Sequence, residues 1–97
     1  MLTSKQRAAL RGAANEMETI LQIGKDGISP ETVKQVSDAL TARELIKIRV
    51  LKNQELTARA AADILQEEAD CDVVQVIGTR IVLFRRNPKK RAYDSLI

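Results

Sequence analysis

The sequence predicts an α/β fold: a single compact domain with three helices and a four-stranded mixed sheet, in the order α-β-α-β-α-β-β. The 97 residues are enough for one hydrophobic core and leave no room for a second. Apolar residues recur at helical spacing in some segments and alternate with polar residues in others. Two strand–helix–strand connections indicate parallel strands, and a glycine turn near the end indicates an antiparallel hairpin.

The first helix and the first strand are predicted from local signals. Thr3 and Gln6 have the spacing of a capping box, in which each side chain accepts from the other's backbone N–H, so a helix is expected over residues 3–14. The apolar run at residues 19–23 ends at a glycine and is typical of a buried strand.

The second helix and the second strand follow a tight glycine loop. Ser29 is a good N-cap, and Pro30 suits the first helical position because its missing N–H would have no partner there. The strand over residues 44–51 has one apolar and one cationic face. Its apolar residues Ile46, Ile48 and Val50 alternate with Lys47 and Arg49.

A third helix and a closing hairpin complete the domain. Asn53 can cap a helix that runs to about Ala69 and supplies most of an acidic patch. Strands at residues 73–77 and 80–86 flank a Gly-Thr turn, and glycine is the residue that the first position of a type II′ turn favours.

Strand pairing also predicts what each face of the sheet carries. Val74 is expected opposite Leu83, and Val76 opposite Ile81, on the apolar face. The two crossover helices are expected to cover this face and to leave the other face open. We expect the open face to be lined by Lys47, Arg49, Gln75, Arg80 and Arg86.

We divide the chain into a domain over residues 1–86 and a basic C-terminal tail over residues 87–97. Asn87 and Pro88 end the last strand, because proline cannot donate to a sheet. The tail that follows is expected to have little to pack against.

The composition excludes several chemistries. The chain has no His and one Cys, Cys71, so it lacks a Ser-His or Cys-His pair, an imidazole base and an ordinary zinc site. We therefore expect a protein that is not an enzyme and that has no catalytic residue, metal or cofactor. Cys71 is expected to be a small packed residue. With no internal disulfide, no apolar run near the ~20 residues of a membrane helix and no signal peptide, a cytoplasmic protein is expected.

The charged residues are separated along the chain. Residues 53–72 contain six acids and one base, whereas residues 80–91 contain six bases and no acid. Such a separation is typical of a protein that meets a polyanion in one orientation. Composition alone agrees equally well with a solvated charged tail.

A series of short motifs runs in order from residue 2 to residue 86. They are Leu2-Thr3, Lys5-Gln6-Arg7, Ile23-Gly24-Lys25-Asp26-Gly27-Ile28, Ala39-Leu40, Glu44-Leu45-Ile46-Lys47, Val74-Gln75-Val76-Ile77-Gly78 and Val82-Leu83-Phe84-Arg85. Together they resemble the CRM domain, the small RNA-binding fold of the bacterial YhbY proteins. The glycine loop alone is a weak signal, whereas the ordered set is specific.

The resemblance implies a fold similar to the C-terminal domain of a bacterial translation initiation factor. It also implies association with precursors of the large ribosomal subunit and a role in their assembly. In plants the same domain serves group II intron splicing, usually within longer chains. We therefore expect structured rRNA as the partner of a monomer that does not bind membranes.

Two regions depart from the family. Asn15-Glu16 and Glu18-Thr19 stand where related chains often carry His-Pro and a basic residue followed by Pro. These acids weaken the positive field beside the first strand. Asp26 also puts a carboxylate in a loop that is expected to approach phosphate.

The glycine loop and the basic residues form the candidate site. Two glycines before a helix N-terminus let the backbone approach an RNA phosphate, as in the loop of KH domains. A turn that needs positive φ is the simpler explanation of the loop taken alone, and strand-edge protection is the alternative for the bases. The candidate RNA-binding residues are Lys5, Arg11, Gly24, Lys25, Asp26, Gly27, Lys47, Arg49, Arg80, Arg85, Arg86, Lys89, Lys90 and Arg91.

Aromatic residues are scarce, since Phe84 and Tyr93 are the only rings. Domains that stack unpaired bases need two or three exposed rings, so we expect recognition of RNA backbone and shape. Phe84 is expected either as a lone stacking ring on the open face or partly buried under the tail. The alternatives to rRNA are a protein-interaction module with an acidic partner, a general RNA-binding or splicing-type module, and a DNA-binding protein.

Overall fold

Helices and strands follow one another in the order that the sequence predicts. A computed structural model describes residues 2–24, 26–51 and 56–97. The helices are α1 (Ser4–Ala14), α2 (Pro30–Arg43) and α3 (Ala58–Glu68), and a short 3-10 turn spans Asp94–Leu96. The strands are β1 (Leu21–Ile23), β2 (Leu45–Val50), β3 (Asp72–Ile77) and β4 (Arg80–Phe84). They form one sheet in the order β1-β2-β4-β3, with β1 parallel to β2 and the other pairs antiparallel, so the predicted fold class is confirmed.

The predicted starts of the first two helices are confirmed. The Thr3 hydroxyl accepts from the Gln6 N–H at 3.1 Å, and the Gln6 amide oxygen accepts from the Thr3 N–H at 2.9 Å. Ser29 and Thr32 cap α2 in the same reciprocal way, with Pro30 as its first residue. These caps satisfy backbone donors that a helix leaves unpaired at its start.

The third helix begins at Ala58, later than the sequence predicts. The Thr57 hydroxyl caps it by accepting from the Ala60 N–H at 3.1 Å. Asn53, the expected cap, lies outside the described residues. Asn and Thr are both good N-caps, so local sequence does not choose between them.

Helices α2 and α3 cover one face of the sheet and form the main hydrophobic core. Val36 and Leu40 of α2, and Ala62 and Leu65 of α3, are at most 1% exposed. They pack with the strand residues Ile23, Ile46, Ile48, Ile81 and Leu83. Burial of each large side chain contributes about 1.5–3 kcal/mol, so this layer is the main source of the fold's stability.

Helix α1 and the C-terminal tail cover half of the other face. Leu10 of α1, with Tyr93 and Ile97 of the tail, packs on a second cluster. Its strand members are Leu45, Val74, Val82 and Phe84. Two expectations are therefore wrong: this face is not open along its length, and the tail does not lack packing. The reason is that β4 is apolar on both faces and each face needs a cover.

A β-bulge in β3 changes the predicted pairing of the hairpin. Val76 lies opposite Ile81 as expected, but Leu83 lies opposite Val73 instead of Val74. The register shifts just after Val73, so Val74 is buried on the α1 side. An alternating pattern does not reveal such an extra residue.

The buried carboxylate of Glu44 holds the tail against the domain. Glu44 is 0% exposed, its Oε2 accepts from the Asn87 N–H at 2.9 Å, and its Oε1 accepts from the Ala92 N–H at 2.8 Å. Beyond this anchor the Tyr93 ring packs edge-to-face on Phe84, with ring centroids 6.2 Å apart. The tail therefore extends the second cluster.

Candidate nucleic-acid interface

The glycine loop lies at one end of the sheet, together with the turn between β3 and β4. The Ile23 carbonyl accepts from the Leu51 N–H at 2.9 Å, and the Thr79 carbonyl accepts from the Val50 N–H at 2.7 Å. These bonds bring the C-terminal ends of β1 and β2 and the hairpin turn to the same end of the sheet. We call this end the loop end, and the opposite end, where the tail packs, the tail end.

The two glycines of the loop have different environments. Gly27 has a left-handed φ of +81°, and its N–H donates to the Gly24 carbonyl at 3.1 Å. Gly24 is exposed, its φ lies outside the left-handed region, and a Cβ added there would meet nothing within 4 Å. Asp26 is exposed between them, and Lys25 lies outside the described residues. Positive φ thus explains the glycine at 27 and not the one at 24.

Arg49 and Arg80 lie directly opposite each other on β2 and β4, next to the loop end. Gln22 of β1 is the partner of Arg49, and Ile77 of β3 is the partner of Arg80. All four side chains are exposed. They form one line across the sheet, which we call the transverse row.

Lys47 and Gln75 form a second row, one step nearer the tail end. Both pair with Val82 and both are half-buried. The Lys47 Nζ donates to the Asn15 carbonyl at 3.4 Å. Beyond this row the strands pass under α1. The uncovered half of the face therefore brings together four of the five expected residues, namely Lys47, Arg49, Gln75 and Arg80.

Arg85, one of the candidate RNA-binding residues, does not lie on this face. Its Nη1 donates to the Ser37 Oγ at 3.0 Å and the Ala69 carbonyl at 2.8 Å. Its Nη2 donates to the Ser37 carbonyl and the Thr41 Oγ1, both at 2.7 Å. Arg85 continues the side of the strand on which Leu83 lies, which directs it to α2 and α3. The guanidinium instead joins the two helices to the sheet, so the structure does not bring Arg85 to the candidate interface.

Arg86 points to the α1 side of the sheet but lies at the tail end. The buried Phe84 separates it from Arg80, and six residues of strand correspond to roughly 20 Å. Its Nη2 bonds the Asp94 carboxylate at 2.8 Å, and this hydrogen bond raises the pKa of Arg86. The exposed tail residues Lys89, Lys90 and Arg91 follow Arg86 in the chain, and Arg91 lies 4.0 Å from the same Asp94 carboxylate. The predicted bases thus form two separate areas.

A further basic groove, missed as a site in the sequence, runs along the edge strand β3. Its volume is about 530 Å³, and Arg7 and Arg11 of α1 and Arg59 of α3 line it. Helices α1 and α3 cover opposite faces, so only the fold brings Arg59 near the other two. The i,i+4 spacing of Arg7 and Arg11 is the sequence signal for this β3 groove. Lys5 is exposed on the same helix, α1.

Two arginines of the β3 groove have partners within the protein. The Arg7 Nε donates to the Val73 carbonyl at the bulge, at 3.3 Å, and the Arg59 guanidinium pairs with Asp63 at 3.1 Å. Gln75 lines both the β3 groove and the uncovered half of the sheet. The two basic areas therefore adjoin.

Phe84 does not serve as a stacking ring. It is 2% exposed beneath α1 and the tail, and Tyr93 packs against it. Of the two expectations for Phe84, burial under the tail is confirmed, and a lone stacking ring on the open face is wrong.

Cys71 is packed as expected. Its Sγ donates to the Leu65 carbonyl at 3.4 Å, and burial raises the pKa of the thiol to about 11. The thiolate is therefore scarce at neutral pH. Among residues 2–24, 26–51 and 56–97, no three His, Cys, Asp or Glu side chains are grouped so that they could hold a metal ion. The helices of the same ranges are too short or too polar to cross a membrane.

Comparisons with known proteins agree with this architecture. The CRS1 / YhbY (CRM) domain matches residues 2–85. The probable RNA-binding protein YqeI of Bacillus subtilis is 40% identical over 94 residues, which cover 97% of this chain and 98% of that protein. The probable RNA-binding protein PA4753 of Pseudomonas aeruginosa is 27% identical over 88 residues, which cover 91% of this chain and 85% of that protein.

A solved structure has the same fold. The solution structure of the hypothetical protein SAV1595 from Staphylococcus aureus, a candidate RNA-binding protein, superposes with a TM-score of 0.76 and 43% identity. The match covers 90% of this chain and 91% of that chain. Because the family match and the similarity to YqeI extend over nearly the whole sequence, the chain belongs to the CRS1/YhbY (CRM) domain family.

Proposed function

We propose that this chain is a non-enzymatic RNA-binding protein that binds structured RNA through the uncovered half of its sheet and the glycine loop. The pairing of Arg49 with Arg80 carries the proposal. Like charges directly opposite each other on neighbouring strands destabilise a sheet, and both of these side chains are exposed. A phosphate backbone at this position turns the repulsion into two favourable contacts.

The missing side chain at Gly24 supports close approach of a ligand backbone. Neither φ nor crowding within the protein excludes a Cβ at this position. A ligand lying against the loop does exclude one, because a Cβ would occupy its place. The loop stands at the same end of the sheet as Arg49 and Arg80, so one RNA segment reaches all three.

The distribution of charge supports a single docking orientation. The acidic residues Asp63, Glu67 and Glu68 belong to α3, which covers the opposite face of the sheet. A polyanion is attracted to one face and repelled from the other. The β3 groove adds Arg7 and Arg11 at the margin of the proposed interface.

The RNA that we propose as the partner is large-subunit rRNA in its precursor particle, and the process is assembly of that subunit. The support is the membership of the CRM family, since relatives such as YqeI are named for RNA binding. We infer a cytoplasmic monomer in which residues 1–86 form the RNA-binding domain and residues 87–97 a basic tail. The tail bases and Arg86 would contact a second part of the RNA.

A salt series with a charge-reversed variant tests this proposal. Arg49→Glu/Arg80→Glu is compared with Lys34→Glu/Arg43→Glu, which changes the net charge equally on α2. With a structured fragment of large-subunit rRNA, we expect the first variant to bind about tenfold or more weakly than wild type. Its log–log salt slope is expected to be shallower by about 2, at roughly 0.9 per lost phosphate contact. The control pair is expected to bind like wild type.

Three outcomes would contradict parts of the proposal. Equal losses in both variants would show that net charge matters and that the sheet face does not. Competition by duplex DNA or by an intron fragment as strong as that by rRNA would indicate a general nucleic-acid-binding or splicing-type module. No binding of wild type to RNA at low salt would exclude RNA and leave an acidic protein as the partner.

A further inference from the structure

A groove of about 570 Å³ opens on the uncovered half of the sheet, between the strands and the segment that links α1 to β1. We call it the Ile77 groove. Its volume lies within the roughly 300–1,000 Å³ that is usual for sites of small ligands. Six of its lining residues carry the argument: Asn15, Met17, Lys47, Gln75, Ile77 and Arg80.

Ile77 presents an apolar surface in this groove. It is 58% exposed, which is the largest exposure among the large hydrophobic side chains of the described residues. Met17 is half-buried in the same groove and adds a second apolar side chain. Isolated exposed hydrophobic residues are common on protein surfaces, but this one lies among groups that suit a polar ligand.

Cations and amides surround the apolar side chains. Lys47 and Arg80 reach the groove from neighbouring strands, and the amides of Gln75 and Asn15 each offer a donor and an acceptor. The carboxylate of Glu18 also lines the groove. It can accept hydrogen bonds but repels phosphate, so a phosphate is expected nearer to Lys47 and Arg80. An apolar surface beside amides and two cations matches a nucleotide, with its flat base, its polar base edge and its phosphates.

We propose that the Ile77 groove binds one unpaired nucleotide of a structured RNA. The inference rests on the proposed RNA binding and names the RNA class, which is a helix interrupted by a bulged base. A base that is already unpaired is moved into a groove at little cost. Ile77 makes the apolar contact with the base that aromatic rings make in other RNA-binding domains, so recognition extends beyond backbone and shape.

Two RNA hairpins test this inference. They share the same helix, but one carries a single unpaired 2-aminopurine and the other is fully paired. We expect wild type to bind the bulged hairpin about tenfold more tightly, which is within the usual range for contact with one base. Binding is also expected to change the fluorescence of the 2-aminopurine, because the base moves to a new environment.

Ile77→Ala is the variant that tests the groove. It is expected to bind the two hairpins with nearly equal affinity, so that the roughly tenfold preference of wild type for the bulged hairpin is lost. Because the side chain is largely exposed, the fold is expected to persist, which circular dichroism checks. Ile64→Ala is the matched control, since Ile64 is 40% exposed on α3, over the other face. It is expected to bind both hairpins like wild type.

The outcomes separate this inference from the function on which it rests. Equal binding of both hairpins by wild type would overturn the groove and leave RNA binding in place. An equal loss on both hairpins in Ile77→Ala would do the same. Failure of both hairpins to bind at low salt would overturn the proposed function and the groove with it.

Discussion

Arg85 and Arg86 are adjacent and chemically identical, but the fold gives them different surroundings. Successive side chains of a strand point to opposite faces, so Arg85 turns to α2 and α3 while Arg86 turns to Asp94. Composition treats the two as one basic cluster. What distinguishes them is the face of the sheet to which each points, together with the carbonyl groups that the fold places around Arg85.

Arg85→Lys is expected to lower the free energy of unfolding by about 2–4 kcal/mol, because an ammonium cannot reproduce the bidentate geometry of a guanidinium. The bonds at risk are those to Ser37, Thr41 and Ala69. Arg86→Lys is the matched control and is expected to change the unfolding free energy little, since its side chain is 57% exposed. Urea denaturation measures both, and equal effects would contradict the structural role of Arg85.

Gly27 is a glycine because of the backbone conformation of the loop, whereas Gly24 is one that we attribute to the proposed approach of RNA. Gly27→Ala is expected to lower the free energy of unfolding by about 1 kcal/mol, because a φ of +81° is unfavourable for residues with a Cβ. Gly24→Ala is expected to leave that free energy within about 0.5 kcal/mol and to weaken binding of rRNA. Denaturation and RNA titration of both variants check this. Wild-type affinity in Gly24→Ala would show that the loop does not approach the RNA.

At the scale of elements, local signals predict where helices begin, and distant contacts decide what covers the sheet. Thr3 and Ser29 are recognisable as caps because their partners lie three residues away. The four consecutive apolar residues at 81–84 give β4 two buried faces, so α1 and the tail are drawn to the second face. The bulge after Val73 is invisible to alternation, because it adds one residue to the strand.

The buried carboxylate of Glu44 is one attachment of the tail, in addition to the packing of Tyr93 on Phe84. Glu44→Gln is expected to lower the unfolding free energy by about 2–3 kcal/mol, because an amide has one oxygen for the N–H groups of Asn87 and Ala92. Glu44 also adopts a φ of +65°, which a residue other than glycine keeps where surrounding contacts fix it. Protease cleavage within residues 87–97 is expected to accelerate. The exposed Glu31→Gln is the control, and equal cleavage rates would contradict the anchor.

At the scale of the whole molecule, the ease of prediction depends on how regular the neighbouring elements are. Lys47, Arg49 and Arg80 are grouped by alternation alone, because β2 and β4 are adjacent regular strands. Alternation does not group Arg59 with Arg7 and Arg11, because α3 meets α1 only around the edge of the sheet. Arg86 is expected on the same face as Arg80, because the two are an even number of residues apart. Six residues of strand nevertheless separate them by roughly 20 Å, and the part of the sheet between them lies beneath α1.

The two ends of the chain meet, since the Gln6 Nε2 donates to the Ile97 carbonyl at 3.3 Å. Leu2 and Ile97 also line one depression beside Phe84. Both ends therefore emerge at the tail end of the sheet, away from Arg49, Arg80 and the glycine loop. A tag or a second domain fused at either end leaves that face accessible. Copies joined in tandem need only short linkers, and each keeps its own sheet surface exposed.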